Sequence, residues 1–318
     1  MQKKYWIGLF TLACFLYLLF FPEDSLAAVR DGLSLWYRSV LPVLFPFLIL
    51  SGIVTRLELT KQIPEKLLRP VCHAFGCSCQ GCFAIVSGFL CGFPMGAKMT
   101  RDLQTSHLIT GEEADFLYGF VNNVSPAFLM SFLAREQLHR PEYQAVFLFS
   151  VSGAAILYGL ISRPQKGSFT QPSVTPLSKS SCAGDTSRLF SVIDDCIQDG
   201  ILAAIRLGAY ITVFSLLSSA AENLLPDNIL LQAAVAGLFE ITNGCSAVAG
   251  LDLPLGLKVI WLCAVCAFGS LSAFAQTVSI TSMGRASACR YIKSRVIITL
   301  LASALAFGIL FFRRLSLF

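Results

Sequence analysis

Four groups of polar or helix-breaking residues interrupt stretches of this chain that are otherwise apolar. The first is Gly92-Phe93-Pro94-Met95-Gly96. Glycine opens backbone N–H groups to close approach and proline ends a helix. Such a segment suits a helix N-terminus facing a cavity, which carries about +0.5 charge and favours an anionic group. The second, Asn122-Asn123-Val124-Ser125-Pro126, offers amide donors and acceptors without net charge. In the third, Glu240-Ile241-Thr242-Asn243-Gly244, a carboxylate stands midway through an apolar run. At membrane depth that costs about 2.5 kcal/mol or more and marks a functional group by default. Glu240 suits a proton, Na⁺, or a substrate amine or hydroxyl. The fourth is Gly269-Ser270-Leu271-Ser272 with Gln276, in which Ser272 and Gln276 share one helix face. Each group also has a plainer reading: kinks for close helix approach, interhelical hydrogen bonds, or hydroxyls bonded back to their own helix.

The candidate substrate-binding residues are therefore Gly92, Phe93, Pro94 and Gly96 from the first group and Asn122, Asn123 and Ser125 from the second. Glu240, Thr242 and Asn243 come from the third, and Ser270, Ser272 and Gln276 from the fourth. Arg206, near one end of an apolar stretch, is a weaker candidate for holding an anion. No metal site is expected. Cys72, His73, Cys77, Cys79 and Cys82 match no standard zinc spacing and read as small apolar packing residues. The phosphate-binding G-x-x-x-x-G-K-[ST] and the hydrolase signatures G-x-S-x-G and H-E-x-x-H are missing from the sequence. The expectation is a protein that is not an enzyme and has no cofactor, with coupling to protons or Na⁺ left open.

These groups need a scaffold that tolerates broken backbone in hydrocarbon. Irregular backbone at that depth survives only where protein buries it or a water-filled cavity meets it. The chain supplies the scaffold: 318 residues, 55% hydrophobic and 14% charged, against about 25% charged in soluble domains. The apolar runs are continuous rather than alternating, which points to an all-α polytopic membrane protein and away from a β-barrel. About seven spans are expected, at 5–21, 33–55, 116–133, 143–162, 200–221, 255–280 and 296–312. Two interrupted pieces, 71–97 and 228–250, read as re-entrant hairpins. The first span, after Lys3 and Lys4, also resembles a signal peptide; an uncleaved span is favoured. Residues 188–200 read as an interfacial amphipathic helix or a solvated helix face.

The net charge of +5 lies mainly in connecting segments, so no nucleic-acid partner is expected; the partners are the lipid bilayer and a small-molecule solute, and a homo-oligomer is left open. The positive-inside rule places the N-terminus in the cytoplasm, with Lys98, Arg101, the 163–190 loop and the cluster Arg285, Arg290, Lys293 and Arg295 on the same side. The expected organisation is an N-terminal anchor and outer loop over 1–32, a first half over 33–162, a flexible cytoplasmic linker over 163–190, and a second half over 191–318. Each half contains a span, a hairpin and two further spans, so the second must be inverted relative to the first, a common transporter plan. A faint echo links Gly88–Phe93 with Gly269–Phe274, although it does not respect the hairpin register.

With Leu41-Pro42-Val43-Leu44-Phe45-Pro46-Phe47 and Ser87-Gly88-Phe89 added, the four groups resemble the sporulation integral membrane protein YlbJ (SpoVV) family. That family stands among the Gate, or nucleoside-recognition, domain membrane proteins. The likeness covers most of residues 30–290 in the same order. It implies two Gate-type halves in a multi-pass protein of the bacterial cell membrane in an endospore former. Relatives of this kind include nucleoside carriers, and the YlbJ type is associated with moving dipicolinate, a small aromatic dianion. The resemblance therefore implies a secondary transporter for a small polar or anionic solute, with dipicolinate as cargo during sporulation. The alternatives are a nucleoside carrier and a non-transporting scaffold for spore-envelope assembly. Ser125 stands where glycine is expected before the proline, and the central linker is short for the family.

Overall fold

The computed structural model describes residues 2–57, 59, 64–164, 186–225 and 227–315. Every regular element among them is helical. α1 (Gln2–Phe20) meets α2 (Pro22–Leu35) at an elbow of 109°. Pro22 in the first turn ends α1 and starts α2, and Glu23 and Asp24 complement its N-terminal dipole. The outer loop expected within 1–32 is thus helix: proline and acidic residues, read as loop signals, are also helix-start signals. α2 continues through a π turn into α3 (Leu41–Arg56).

In the second half α10 (Thr186–Leu224) runs for 39 residues, about 58 Å at 1.5 Å per residue. Residues 188–200 belong to this continuous helix and form no separate interfacial one. Asp195 and Asp199 there both pair with Arg56. Gly32 packs on Thr212, Trp36 on Gly208, Ile49 on Gly200 and Gly52 on Cys196. One number rises as the other falls, so α2–α3 and α10 are antiparallel, brought close by small residues. The Trp36 indole N–H donates to the Ala204 carbonyl at 2.9 Å across the same seam.

After the amphipathic α4 (Glu65–Phe75), each half builds a helical hairpin. The first joins α5 (Gly81–Cys91) to α6 (Met95–Thr105) through Gly92-Phe93-Pro94. This lies further along the chain than the 71–97 hairpin expected, because Gly76 in a left-handed conformation ends α4 and adds a separate element. The second hairpin joins α11 (Ile229–Phe239) to α12 (Ile241–Gly250) at Glu240, matching 228–250. Their arms touch at glycine: a Cβ on Gly88 would meet the Gly96 Cα at 3.0 Å, and one on Gly244 the Gly237 Cα at 2.1 Å. The structural counterpart of Gly88/Gly96 is therefore Gly237/Gly244. The Gly88–Phe93 echo with Gly269–Phe274 does not correspond to matching positions.

A broken helix follows each hairpin. α7 (Gly111–Tyr118) stops, residues 119–125 run without helix, and helical structure resumes at Pro126 and continues as the π segment Phe128–Gln137. The 116–133 stretch is thus not one continuous span. In the second half α13 (Leu255–Phe268) and α14 (Ser270–Thr281) meet at Gly269. Each half closes with another helix. The first is Pro141–Ile161, including α8 (Gln144–Phe147) and α9 (Gly153–Ile161); the second is α15 (Arg285–Leu315).

Four helices among the described residues are long and apolar enough to cross a membrane, or five if the bent α1–α2 pair forms one span. Large apolar residues such as Phe149, Ile161, Leu300, Phe307 and Phe312 remain exposed on their outer faces, as lipid contact requires. The expected linker lies outside the described residues except for its two ends.

Candidate functional site

The hairpin tips and helix breaks converge on one cavity of about 410 Å³. Phe93 reaches it from the first tip, Ser125 from the first break, Glu240 and Thr242 from the second tip, and Ser270, Ser272 and Gln276 from the start of α14. Seven candidates from four separate sequence groups therefore share one space. Its remaining wall is largely apolar, including Leu44, Phe128, Phe132, Leu207 and Ile211. A mainly apolar cavity with a few convergent polar groups is the usual form of a small-molecule site.

Each polar group is held by its local structure. Glu240 is the N-cap of α12: its backbone is extended (φ −143°), and its carboxylate accepts from the N–H groups of Thr242 at 2.7 Å and Asn243 at 3.0 Å. The carboxylate thus lies at the positive end of a helix dipole. Ser125 caps the helix beginning at Pro126 by accepting from the Phe128 N–H at 3.2 Å. Here serine and proline occupy their favoured positions at a helix start, which explains the serine where glycine was expected. Gln276 donates to the Ser272 hydroxyl at 3.0 Å, so the expected shared face is present.

α14 starts differently. Gly269 at φ +87° and Ser270 at φ +64° both take the left-handed conformation, and the Ser270 hydroxyl accepts from the Ala273 N–H at 3.4 Å. A Cβ on Gly269 would meet the Phe93 ring at 2.6 Å, and one on Gly92 the Ser125 backbone nitrogen at 2.6 Å. The first hairpin tip is wedged between the two breaks, and only glycine permits both contacts.

Six candidates do not line the cavity. Gly92 and Pro94 shape the tip, and Gly96 forms the packing contact between hairpin arms. Asn243 supplies one N–H to the Glu240 cap. Asn122 and Asn123 are fully buried beside the cavity. Asn122 donates to the Thr277 hydroxyl at 2.7 Å and to the Tyr291 hydroxyl at 3.3 Å; Asn123 donates to the Phe120 carbonyl at 2.6 Å. Arg206 is exposed on α10 and does not line this cavity.

Sequence reasoning missed Arg295 as a core residue. It is 2% exposed and donates to the carbonyls of Asn122 at 2.9 Å and Gly119 at 3.1 Å, and to the Asn123 side chain at 3.1 Å. Its guanidinium lies 5.3 Å from the Tyr291 ring centroid. A cation thus closes the C-terminal end of α7, where the helix dipole favours it. In the sequence Arg295 reads as a loop charge because it closes a basic run. The available signal was periodicity: Tyr291, Arg295, Ile298, Ala302 and Ala306 recur every three or four residues and all are buried.

The cysteine cluster is compact. Cys72 Sγ lies 3.3 Å from Cys79 Sγ and 3.2 Å from Cys82 Sγ. Among the described residues, no group of three or more His, Cys, Asp or Glu side chains is placed to hold a metal ion.

Membrane-length apolar helices, broken helices and a cavity at their breaks define a polytopic helical membrane protein. The chain is similar to Sporulation integral membrane protein YlbJ of Bacillus subtilis (strain 168): 24% identical over 297 residues, 82% of this chain and 71% of that protein. This supports the family resemblance drawn from its motifs. No protein-family model matches the chain, and no solved structure matches it.

Proposed function

We propose that the chain is a secondary transporter that binds a small polar or anionic solute in the central cavity. The observation that carries this reading is the convergence of two hairpin tips and two helix breaks on one space lined by Glu240, Ser270, Ser272 and Gln276. Packing alone does not require four irregular segments to meet around an opening. Discontinuous helices meeting at a shared site are the recurring plan of secondary transporters. The N-terminus of α14, which Ser270 brings to the cavity, suits an anionic group. Glu240 opposes a dianion when ionised, so a proton bound there is the natural coupling ion, with Na⁺ the alternative. The same order of long helix, hairpin, broken helix and closing helix in both halves, with antiparallel α2–α3 and α10, supports an inverted repeat of Gate type. The sporulation role named for the relative makes dipicolinate the first solute to test.

The test is uptake of labelled dipicolinate and labelled uridine into proteoliposomes, with wild type and Glu240→Gln side by side under proton and Na⁺ gradients. The expected result is saturable dipicolinate flux, reduced by the substitution. Saturable uridine flux would instead identify a nucleoside carrier. No flux of either from folded protein would favour a membrane scaffold.

A further inference from the structure

A second cavity, of about 640 Å³, lies among α6, α7 and the α14–α15 turn. Its lining is polar and includes Arg101, Gln104, Tyr118, Thr281 and Ser287. Glu112, Ser282 and Gly284 at its rim are exposed. Two independent segments link it to the central cavity. On α14, Ala273 lines the central cavity and Thr281 the polar one, with Thr277 midway between them. These residues recur every four positions, about 6 Å apart along the axis. In the first half, Tyr118 lines the polar cavity and Val124 and Ser125 the central one, with Asn122 between. The two intermediate residues touch: Asn122 donates to Thr277, and Tyr291 completes the contact from α15. Asn122, Thr277 and Tyr291 are all buried, and the Asn122 side-chain oxygen has no hydrogen-bond partner.

We infer that the polar cavity is a second solute-accessible site on the route from the central cavity, and that Asn122, Thr277 and Tyr291 form the barrier between the two. This rests on the transport reading. The arrangement suits a barrier that opens and closes. The contact is made by side chains from three separate segments, and the ion pair beside it, Arg290 with Asp115 of the polar cavity, joins α15 to α7 without involving Asn122 or Thr277. Parting Asn122 from Thr277 and Tyr291 breaks two hydrogen bonds and leaves polar groups that water or a polar solute can satisfy. Arg295 holds the Asn122 backbone independently of that side-chain contact. The side chain can therefore part without unseating the chain.

Accessibility of introduced cysteines tests the barrier without a known solute. A membrane-impermeant maleimide is applied to each face of reconstituted vesicles, and labelling at Thr281→Cys and Ala273→Cys is read by peptide mass spectrometry. Thr281→Cys should label from one face, and Ala273→Cys should resist label from that face. Adding Thr277→Val, which keeps shape but removes the hydroxyl, should speed labelling of Ala273→Cys from that face at least about tenfold. Tyr291→Phe should act in the same direction, and it covers the case in which Thr277→Val does not fold. Equal labelling of Ala273→Cys with and without the folded barrier variants would overturn the inference. So would a Thr281→Cys that labels from neither face. Dipicolinate uptake is measured on the same vesicles. The labelling pattern without uptake would leave the passage supported and count against the transport reading. Uptake without the pattern would remove the barrier alone.

Discussion

The two helix breaks beside the cavity solve one problem in opposite ways. The first, residues 119–125, leaves several backbone groups without helical partners. It recruits a buried cation, because Arg295 donates to the Gly119 and Asn122 carbonyls and to the Asn123 side chain. The second is a pair of left-handed residues, Gly269 and Ser270; the Gly269 N–H still bonds to the Val265 carbonyl. The first break is tied by a distant helix, α15; the second keeps its backbone bonded to the helix it follows. A long break thus needs a donor from elsewhere in the fold, and a short one does not. The difference also explains why two asparagines that look like binding residues lie behind the cavity: they complete the tie.

The comparison predicts its largest effect at Arg295. Arg295→Met removes the donors from three buried oxygens. Each buried acceptor left unsatisfied costs about 1–3 kcal/mol, so most of the protein should be lost as aggregate on size-exclusion chromatography. Arg295→Lys should rescue only part of it, because an ammonium cannot reproduce the fork that reaches several acceptors. A monodisperse Arg295→Met protein with unchanged melting would mean that the tie is dispensable.

Gly269→Ala attacks the other break. A β-carbon at φ +87° costs about 1–2 kcal/mol, and the contact with the Phe93 ring adds to it. The expected outcome is a folded protein with lower melting temperature and much reduced flux. Adding Phe93→Ala should recover part of the stability by removing the steric conflict, and no recovery would show that the ring contact does not matter.

What was legible in the sequence divides along the same line. The second hairpin was found at nearly its true bounds, because Asn228 caps its start and Glu240 breaks a uniformly apolar run. The first was misplaced, because glycine, cysteine and proline are scattered over 71–97 and no single residue marks the tip. Six cavity residues stand out because polar side chains in apolar runs need a reason, and Phe93 stands out through the glycines and proline around it. Asn122 and Asn123 gave the same signal, since composition does not distinguish a polar residue facing a cavity from one facing a buried arginine 172 positions away. That distinction depends on tertiary partners. Residues 22–32 were read as loop because their charges outweighed the helix-start pattern of Pro22, Glu23 and Asp24.

Glu240 belongs to both sides of the comparison, since it caps α12 and faces the cavity. Glu240→Gln keeps a carbonyl oxygen for the cap, so stability should fall by no more than about 1 kcal/mol. Flux should fall at least tenfold if the carboxylate carries the coupling proton. Its dependence on the proton gradient should also disappear. Equal losses of melting temperature and flux would instead make Glu240 only a cap.

The smallest effect is expected at Ser272. Its hydroxyl accepts from Gln276 at 3.0 Å on α14, and hydrogen bonds in membranes average about 0.6 kcal/mol. Ser272→Ala should therefore leave melting almost unchanged. If the pair orients solute, the substitution should raise the KM for uptake a few-fold while the maximal rate holds. Gln276→Ala should do the same, and the double variant should be no worse than either alone, since the two side chains act as one unit. Additive losses would mean that Ser272 and Gln276 meet the solute separately, and α14 would then present two contacts to the cavity instead of one.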